Sequence, residues 1–286
     1  MTVPSGNHPP MVTPPALIVL ALLVLASTVT WGLLLRNARP GQPFPGPPDQ
    51  QPRPWPAWLL PVTILCWLVL PLLLVRPLPD PSLSNPSFDA ASARETLIQN
   101  CVALAVLFGV LTALVQLAGT EVAGSESSPV GLRPGPWSRQ IAWGTVGFLA
   151  CVLPTIIALW LTTPLRTVDD LHPLLKLIEF DPDPITRITI IVSAVVLAPL
   201  VEELAFRVIV QRSLLRWCPP AAAIFLTALA FAMVHPNWPD RIALLPLALI
   251  LGITYHRSGS YPAVVMTHLL FNATNITLVL WQGIPN

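Results

Sequence analysis

Two adjacent carboxylates, Glu202 and Glu203, lie inside an apolar stretch of the sequence, whereas the other acidic residues lie outside such stretches or at their edges. A carboxylate near bilayer depth is costly unless it is paired or faces water, so this pair is a functional candidate. Arg207 follows Glu203 by four positions, the favourable order for an ion pair on a helix. Glu202 points about 100° away around the helix. We therefore expect Glu203 to be structural and Glu202 to be a free general acid or base. A stabilising charge cluster at a helix end is the alternative.

Two histidines lie in apolar stretches of their own. His235 closes one stretch and is followed by Pro236, which disfavours helix at the preceding residue, so His235 is expected at a helix end. His268 lies inside the last stretch, with Asn272 one turn later on the same face. Buried imidazole and amide groups need polar partners. We therefore expect these groups to converge with the Glu pair on one hydrated pocket.

Such a pocket supports hydrolysis by an activated water. A carboxylate can take a proton from water, one histidine can hold that water or bind a metal, and a second histidine with an asparagine can donate to an oxyanion. These are the parts needed to hydrolyse a peptide bond. No serine or cysteine is obviously paired with a base, so a covalent nucleophile is not favoured.

The composition places these residues in a membrane. Of the 286 residues, 53% are hydrophobic and 10% are charged, and the mean hydropathy is +0.68. A soluble domain carries about 25% charged residues. Most of this surface must therefore face lipid, which excludes soluble globular, disordered and collagen-like classes. No basic run is long enough to indicate a nucleic-acid partner.

Eight apolar runs predict an all-α polytopic membrane helix bundle of about eight transmembrane helices. A spanning helix needs about 17–25 residues, and a run of about 14 is ambiguous between spanning, re-entrant and buried helices. The long runs are Ala16–Leu35, Trp58–Val75, Leu97–Leu117, Ile141–Leu161 and Ala263–Trp281. The shorter runs are Ile188–Val201, Ala221–Val234 and Ile242–Tyr255, the first of which continues through the Glu pair and could thus be long enough to span.

The chain divides into four predicted parts. They are an N-terminal tail (1–15), N-terminal membrane helices (16–162), an acidic loop (163–184) and a catalytic membrane core (185–286). A Pro-rich loop at 39–56 is expected to be an extended linker.

Three short motifs, each in a separate apolar segment, give the chain its resemblance to a known family. They are Glu202-Glu203-x-x-x-Arg207, Phe231-x-x-x-His235 and His268-x-x-x-Asn272. In this order they resemble the CPBP family, the CAAX prenyl endopeptidases and bacteriocin-processing (Abi) membrane proteins. The resemblance covers about Ile185–Trp281.

The resemblance implies an intramembrane endopeptidase whose catalytic groups lie in a conical cavity among the helices. Glu202 would activate the water. Glu203 and Arg207 would hold the helix and the first carboxylate in place. His235 would position the water or a metal.

The last motif and the aromatic residue have implied roles as well. His268 and Asn272 would bind the oxyanion. Phe231 would pack behind the site and contribute to substrate binding. The implied substrate is a peptide or a lipidated protein, in contact with membrane lipid, and the implied location is the cell membrane as a multi-pass protein.

The cofactor is open at this point. A Glu/His/His set is compatible with zinc held by His235 and His268, as in a metalloprotease. A closed ligand set leaves no role for Asn272, however, and the supporting carboxylate Glu203 is already assigned to Arg207. The preferred interpretation therefore requires no cofactor, with zinc as the alternative.

Two other functions compete with proteolysis. One is a transporter or proton-relay protein, in which Glu202, His235 and His268 would titrate. The other is a non-catalytic immunity or scaffold member of the same fold. An internal repeat would favour a transporter, and loss of a motif residue would favour a scaffold. The sequence shows neither feature.

Overall fold

The regular elements of the protein are helices. A computed structural model describes residues 14–38, 55–79, 89–122, 136–166, 174, 177–178, 181 and 183–282. The principal helices in these ranges are α1 (Pro14–Arg36), α2 (Leu59–Leu74), α3 (Ala90–Val122), α4 (Trp137–Thr162), α5 (Pro184–Leu214), α6 (Pro220–Met233), α7 (Trp238–Ser258) and α8 (Tyr261–Gln282). The predicted all-α membrane bundle is confirmed.

Among the described residues, six helices are long and apolar enough to cross a membrane, and α2 and α6 are shorter. With 16 and 14 residues, these two reach about 24 and 21 Å against a hydrocarbon core of about 30 Å. Prolines limit α6, since Pro219 and Pro220 open it and Pro236 follows it. Every predicted apolar run is helical, but eight spans stay a prediction.

Most of the two predicted loops lies outside the described residues. Of the Pro-rich loop 39–56 only residues 55 and 56 are described, and of the acidic loop 163–184 only residues 163–166, 174, 177–178, 181 and 183–184. The division into four parts therefore stays a prediction, except that α1 begins at Pro14, inside the predicted tail.

Helix α5 is not a uniform α-helix. Two π-helical segments, Val192–Leu197 and Leu204–Gln211, flank the short α-helical piece Ala198–Glu203 that carries the Glu pair. The sequence analysis treated this stretch as an ordinary helix. Single-turn π segments recur at functional sites, because they turn side chains to a new direction without ending the helix.

Helix α4 packs against α7 and α8 at a glycine. A Cβ atom at Gly147 would lie 2.6 Å from Thr267 Oγ1 and 2.8 Å from Thr254 Oγ1. Only a residue without a side chain fits, as is common where membrane helices approach closely. Thr267 precedes His268, so this contact fixes the height of α8 in the bundle.

An ion-pair network holds the start of α5 to α3. Arg94 Nη2 lies 3.1 Å from Asp181 Oδ2, and Arg94 Nη1 lies 2.7 Å from Asp183 Oδ2. Burial alone would raise the pKa of Asp181. Hydrogen bonds from the Thr186 hydroxyl and the Asp183 N–H, together with Arg94, more than offset it, and the pKa lies below its ordinary value.

We expect Arg94→Met to lower stability at pH 7 by about 1 kcal/mol, since the pair is partly exposed. A depressed folded-state pKa stabilises the protein above the ordinary carboxylate pKa and stops doing so as the pH falls through the folded value. The difference between wild type and variant should therefore shrink below about pH 4. Thermal unfolding in detergent across pH measures it, with exposed Arg187→Met as control. A difference that does not change with pH would contradict this.

Candidate active site

Glu203 and Arg207 form the ion pair that their spacing predicts. Glu203 Oε2 lies 3.2 Å from Arg207 Nε, and both side chains are 0% exposed. Arg207 also donates through Nη2 to the Ala248 carbonyl on α7 at 3.4 Å, and its guanidinium carbon lies 4.8 Å from the centroid of the Phe231 ring. This arginine therefore holds α5 against both α6 and α7.

His268 shares the same carboxylate. Its Nδ1 lies 2.8 Å from Glu203 Oε1, and an ionised carboxylate only accepts hydrogen bonds, so Nδ1 donates. The sequence analysis assigned Glu203 to Arg207 alone. The structure corrects that assignment, because the two oxygens serve different partners. Glu203 thus connects α5 to α8 and fixes the orientation of the His268 ring.

Glu202 differs from its neighbour in exposure. Its side chain is 24% exposed and its Oε2 lies 3.8 Å from His268 Nε2, which is too long for a direct hydrogen bond. Adjacent positions on α5 therefore hold one carboxylate that is buried, ion-paired with Arg207 and hydrogen-bonded to His268, and one that is partly exposed. The expected separation of roles within the Glu pair agrees with this geometry.

His235 lies just beyond the end of α6 and is partly buried. Its Nδ1 lies 2.9 Å from the Phe231 carbonyl, so Nδ1 carries the hydrogen and the neutral ring keeps a lone pair on Nε2. Arg241 Nε donates to the His235 carbonyl at 2.8 Å, which fixes the turn. His235 lies within electrostatic reach of Glu202.

Phe231 separates the two histidine rings. Its centroid lies 5.1 Å from that of His235 and 5.9 Å from that of His268, and the residue is 1% exposed. Its ring therefore contacts both histidine rings, and its role behind the site stays a prediction. A direct contribution of Phe231 to substrate binding stays a prediction.

Asn272 is bonded to the backbone of α5. Its Nδ2 donates to the Ala194 carbonyl at 2.8 Å, inside the first π-helical segment. One of its two N–H groups is thus engaged between α8 and α5. The sequence analysis expected this amide to face an oxyanion.

Sequence reasoning missed three residues that support the site. Tyr261 donates its hydroxyl to the Leu200 carbonyl at 2.7 Å, which anchors the start of α8 on α5. Trp67 and Phe206 extend the aromatic stack behind Phe231, each step with centroids 5.3 Å apart. A tyrosine beside an apolar run was a visible signal, because a buried phenol needs an acceptor.

The donor set does not close around a metal. Among the residues that the structure describes, no three His, Cys, Asp or Glu side chains are grouped so that they could hold a metal ion. His268 Nδ1 and His235 Nδ1 are engaged with Glu203 and the Phe231 carbonyl. The metalloprotease assignment therefore gains no support from this geometry.

The fold and the site define a multi-pass helical membrane protein with a buried Glu–Arg–His network beside an accessible carboxylate. Residues 184–274 match the family model described as Rce1-like, type II CAAX prenyl endopeptidase. This segment contains all three motifs, and the match supports assigning it to the CPBP/CAAX protease family, a family of membrane endopeptidases. No curated protein and no solved structure matches the chain significantly.

We expect Arg207→Met to destabilise the protein by about 3–5 kcal/mol, because it leaves the buried carboxylate of Glu203 without its cation. Adding Glu203→Gln should cost less in this background than in wild type, since the two side chains act as a pair. Unfolding in detergent measures both, with exposed Arg187→Met on the same helix as control. An Arg207→Met variant that melts like wild type would contradict the pairing.

Proposed function

We propose that this protein is an intramembrane endopeptidase that hydrolyses a peptide bond of a membrane-associated substrate with a water activated by Glu202. The observation that carries the proposal is the contrast within the Glu pair. Glu203 is fully buried and bonded to Arg207 and His268, whereas Glu202 is accessible and has no direct bond to the same ring. Such an accessible carboxylate can exchange a proton with water.

Glu202 is the general base of the proposed reaction. Its carboxylate takes a proton from a water molecule while the water oxygen attacks the carbonyl carbon of the peptide, forming a tetrahedral oxyanion. When the C–N bond breaks, Glu202 returns the proton to the leaving nitrogen. The Nε2 lone pair of His235 accepts the second hydrogen of that water and orients it.

His268 stabilises the oxyanion in this mechanism. Its Nδ1–H is held by Glu203, so a ring protonated at Nε2 presents its second N–H on the side of Glu202. A fixed donor at the place where negative charge develops is worth more than a mobile one, because no reorganisation is needed during the reaction.

The substrate belongs to the membrane. The matching family is named for CAAX prenyl endopeptidases, so we propose a peptide or a lipidated protein as substrate, in contact with membrane lipid. The site residues lie on apolar helices or just beyond the end of one, so we propose that a substrate held at the bilayer reaches Glu202. We propose the cell membrane as the location.

We expect Glu202→Gln to reduce peptide hydrolysis by about 10²–10⁴-fold, the usual contribution of a general base, with little effect on stability. Glutamine keeps the volume of the side chain but cannot accept the proton. Cleavage of a membrane-peptide library by purified protein in lipid measures this, with exposed Glu95→Gln on α3 as the charge-matched control. Turnover unchanged from wild type would remove Glu202 from the mechanism.

We also expect purified protein to contain less than one tightly bound zinc per chain and to stay active after prolonged exposure to a strong chelator. The reason is that no three His, Cys, Asp or Glu side chains among the described residues are grouped so that they could hold a metal ion. Elemental analysis and activity before and after chelation test this. Stoichiometric zinc, with activity lost on its removal and restored on its return, would reassign His235 and His268 as ligands.

A further inference from the structure

The first π-helical segment of α5 leaves one carbonyl without its backbone donor. At the end of Val192–Leu197, the Ala198 N–H donates to the Ser193 carbonyl, five residues back. In the same register, the donor for the Ala194 carbonyl would be the N–H of residue 199. Residue 199 is proline, which has no N–H. A buried carbonyl without a donor costs free energy comparable to a lost hydrogen bond.

Asn272 supplies that donor from another helix. Its Nδ2 lies 2.8 Å from the Ala194 oxygen, and the flanking residues Ser193 and Val195 are buried. Asn272 is one turn beyond His268, so α8 contacts α5 at two levels. His268 hydrogen-bonds to Glu203, which follows the π segment in the chain, and Asn272 hydrogen-bonds to Ala194 within the segment.

The register of this segment decides where the Glu pair points. In a π segment each backbone hydrogen bond joins residues five positions apart, one more than in an α-helix. Returning it to α-helical bonding would rotate the following residues by about 100° relative to the preceding ones. Pro199 and Glu202 both follow the segment on the same helix, so the rotation would also change the direction of the Glu202 side chain. A bond that stabilises the π register therefore also stabilises the direction of Glu202 towards His268.

We infer that Asn272 is a positioning residue that acts through the Ala194 carbonyl, compensating for the N–H that Pro199 lacks. The inference rests on the proposed function only where its test measures catalytic activity. Its structural part concerns Asn272, Ala194 and Pro199, and it has a readout of its own in stability.

The experiment is a cycle of Asn272→Ala and Pro199→Ala in the full-length protein. Alanine at 199 restores a backbone N–H that can donate to the Ala194 carbonyl. With Pro199 present, we expect Asn272→Ala to lower the unfolding temperature and to reduce kcat by about ten- to a hundredfold with little change in KM, because a displaced catalytic group is costly. In the Pro199→Ala background, both losses should shrink severalfold.

The alternative roles predict different results. If Asn272 acts only by binding the oxyanion, Asn272→Ala reduces kcat by the same factor in both backgrounds and leaves the unfolding temperature unchanged, which would overturn the inference. Equal losses of unfolding temperature in the two backgrounds would overturn it as well. Asn275→Ala, at an exposed position of the same helix, is the control and should change neither quantity.

The result can be separated from a failure of the proposed function. Should Glu202→Gln keep full activity, the proposed mechanism fails, yet the unfolding temperatures of the cycle still decide the role of Asn272. Should Pro199→Ala itself reduce turnover, the unfolding temperatures decide in the same way, because they do not require an active enzyme.

Discussion

The buried carboxylate of Glu203 is the constraint on which the site depends. An ionised group that is fully buried among membrane helices must be paired and hydrogen-bonded, because desolvation would otherwise exceed any gain. Glu203 meets this requirement with one oxygen on Arg207 of its own helix and the other on His268 of α8. The Glu203 carboxylate thus has both partners only when α5 and α8 are packed together. The site therefore forms when these two helices pack.

The same constraint separates the two neighbouring glutamates. Arg207 and His268 together occupy Glu203, and Phe231 covers the guanidinium and both histidine rings from the side of α6. Glu202 lies beside this network, partly exposed and without a direct hydrogen bond to His268. Two residues of the same type therefore have different surroundings because of their positions around one helix, and the buried one fixes the histidine that lies beside the exposed one.

Sequence reasoning predicted the local parts of this arrangement and the convergence of His268 with the Glu pair, but not the particular bonds between helices. The apolar runs predicted the helices, and the i, i+4 spacing predicted the Glu203–Arg207 pair. The bond between His268 and Glu203 joins residues 65 positions apart, and no periodicity encodes it. The π-helical segments of α5 could not be predicted either, because an apolar sequence does not distinguish i+4 from i+5 backbone hydrogen bonding. The length of α2 was overestimated, since hydropathy alone does not show where Val75 becomes extended.

Pro199 removes one backbone hydrogen-bond donor from α5, and a side chain of a neighbouring helix replaces it. Proline is tolerated in membrane helices when a neighbouring helix satisfies the carbonyl that it leaves free. Here the neighbour is α8, and the donor lies one turn from His268. Two acceptors on α5, the carboxylate of Glu203 and the carbonyl of Ala194, need donors from α8. The i, i+4 spacing of His268 and Asn272 places one donor at each of them. A helix that supplies both donors packs on α5 in one register, and this register fixes the surroundings of Glu202.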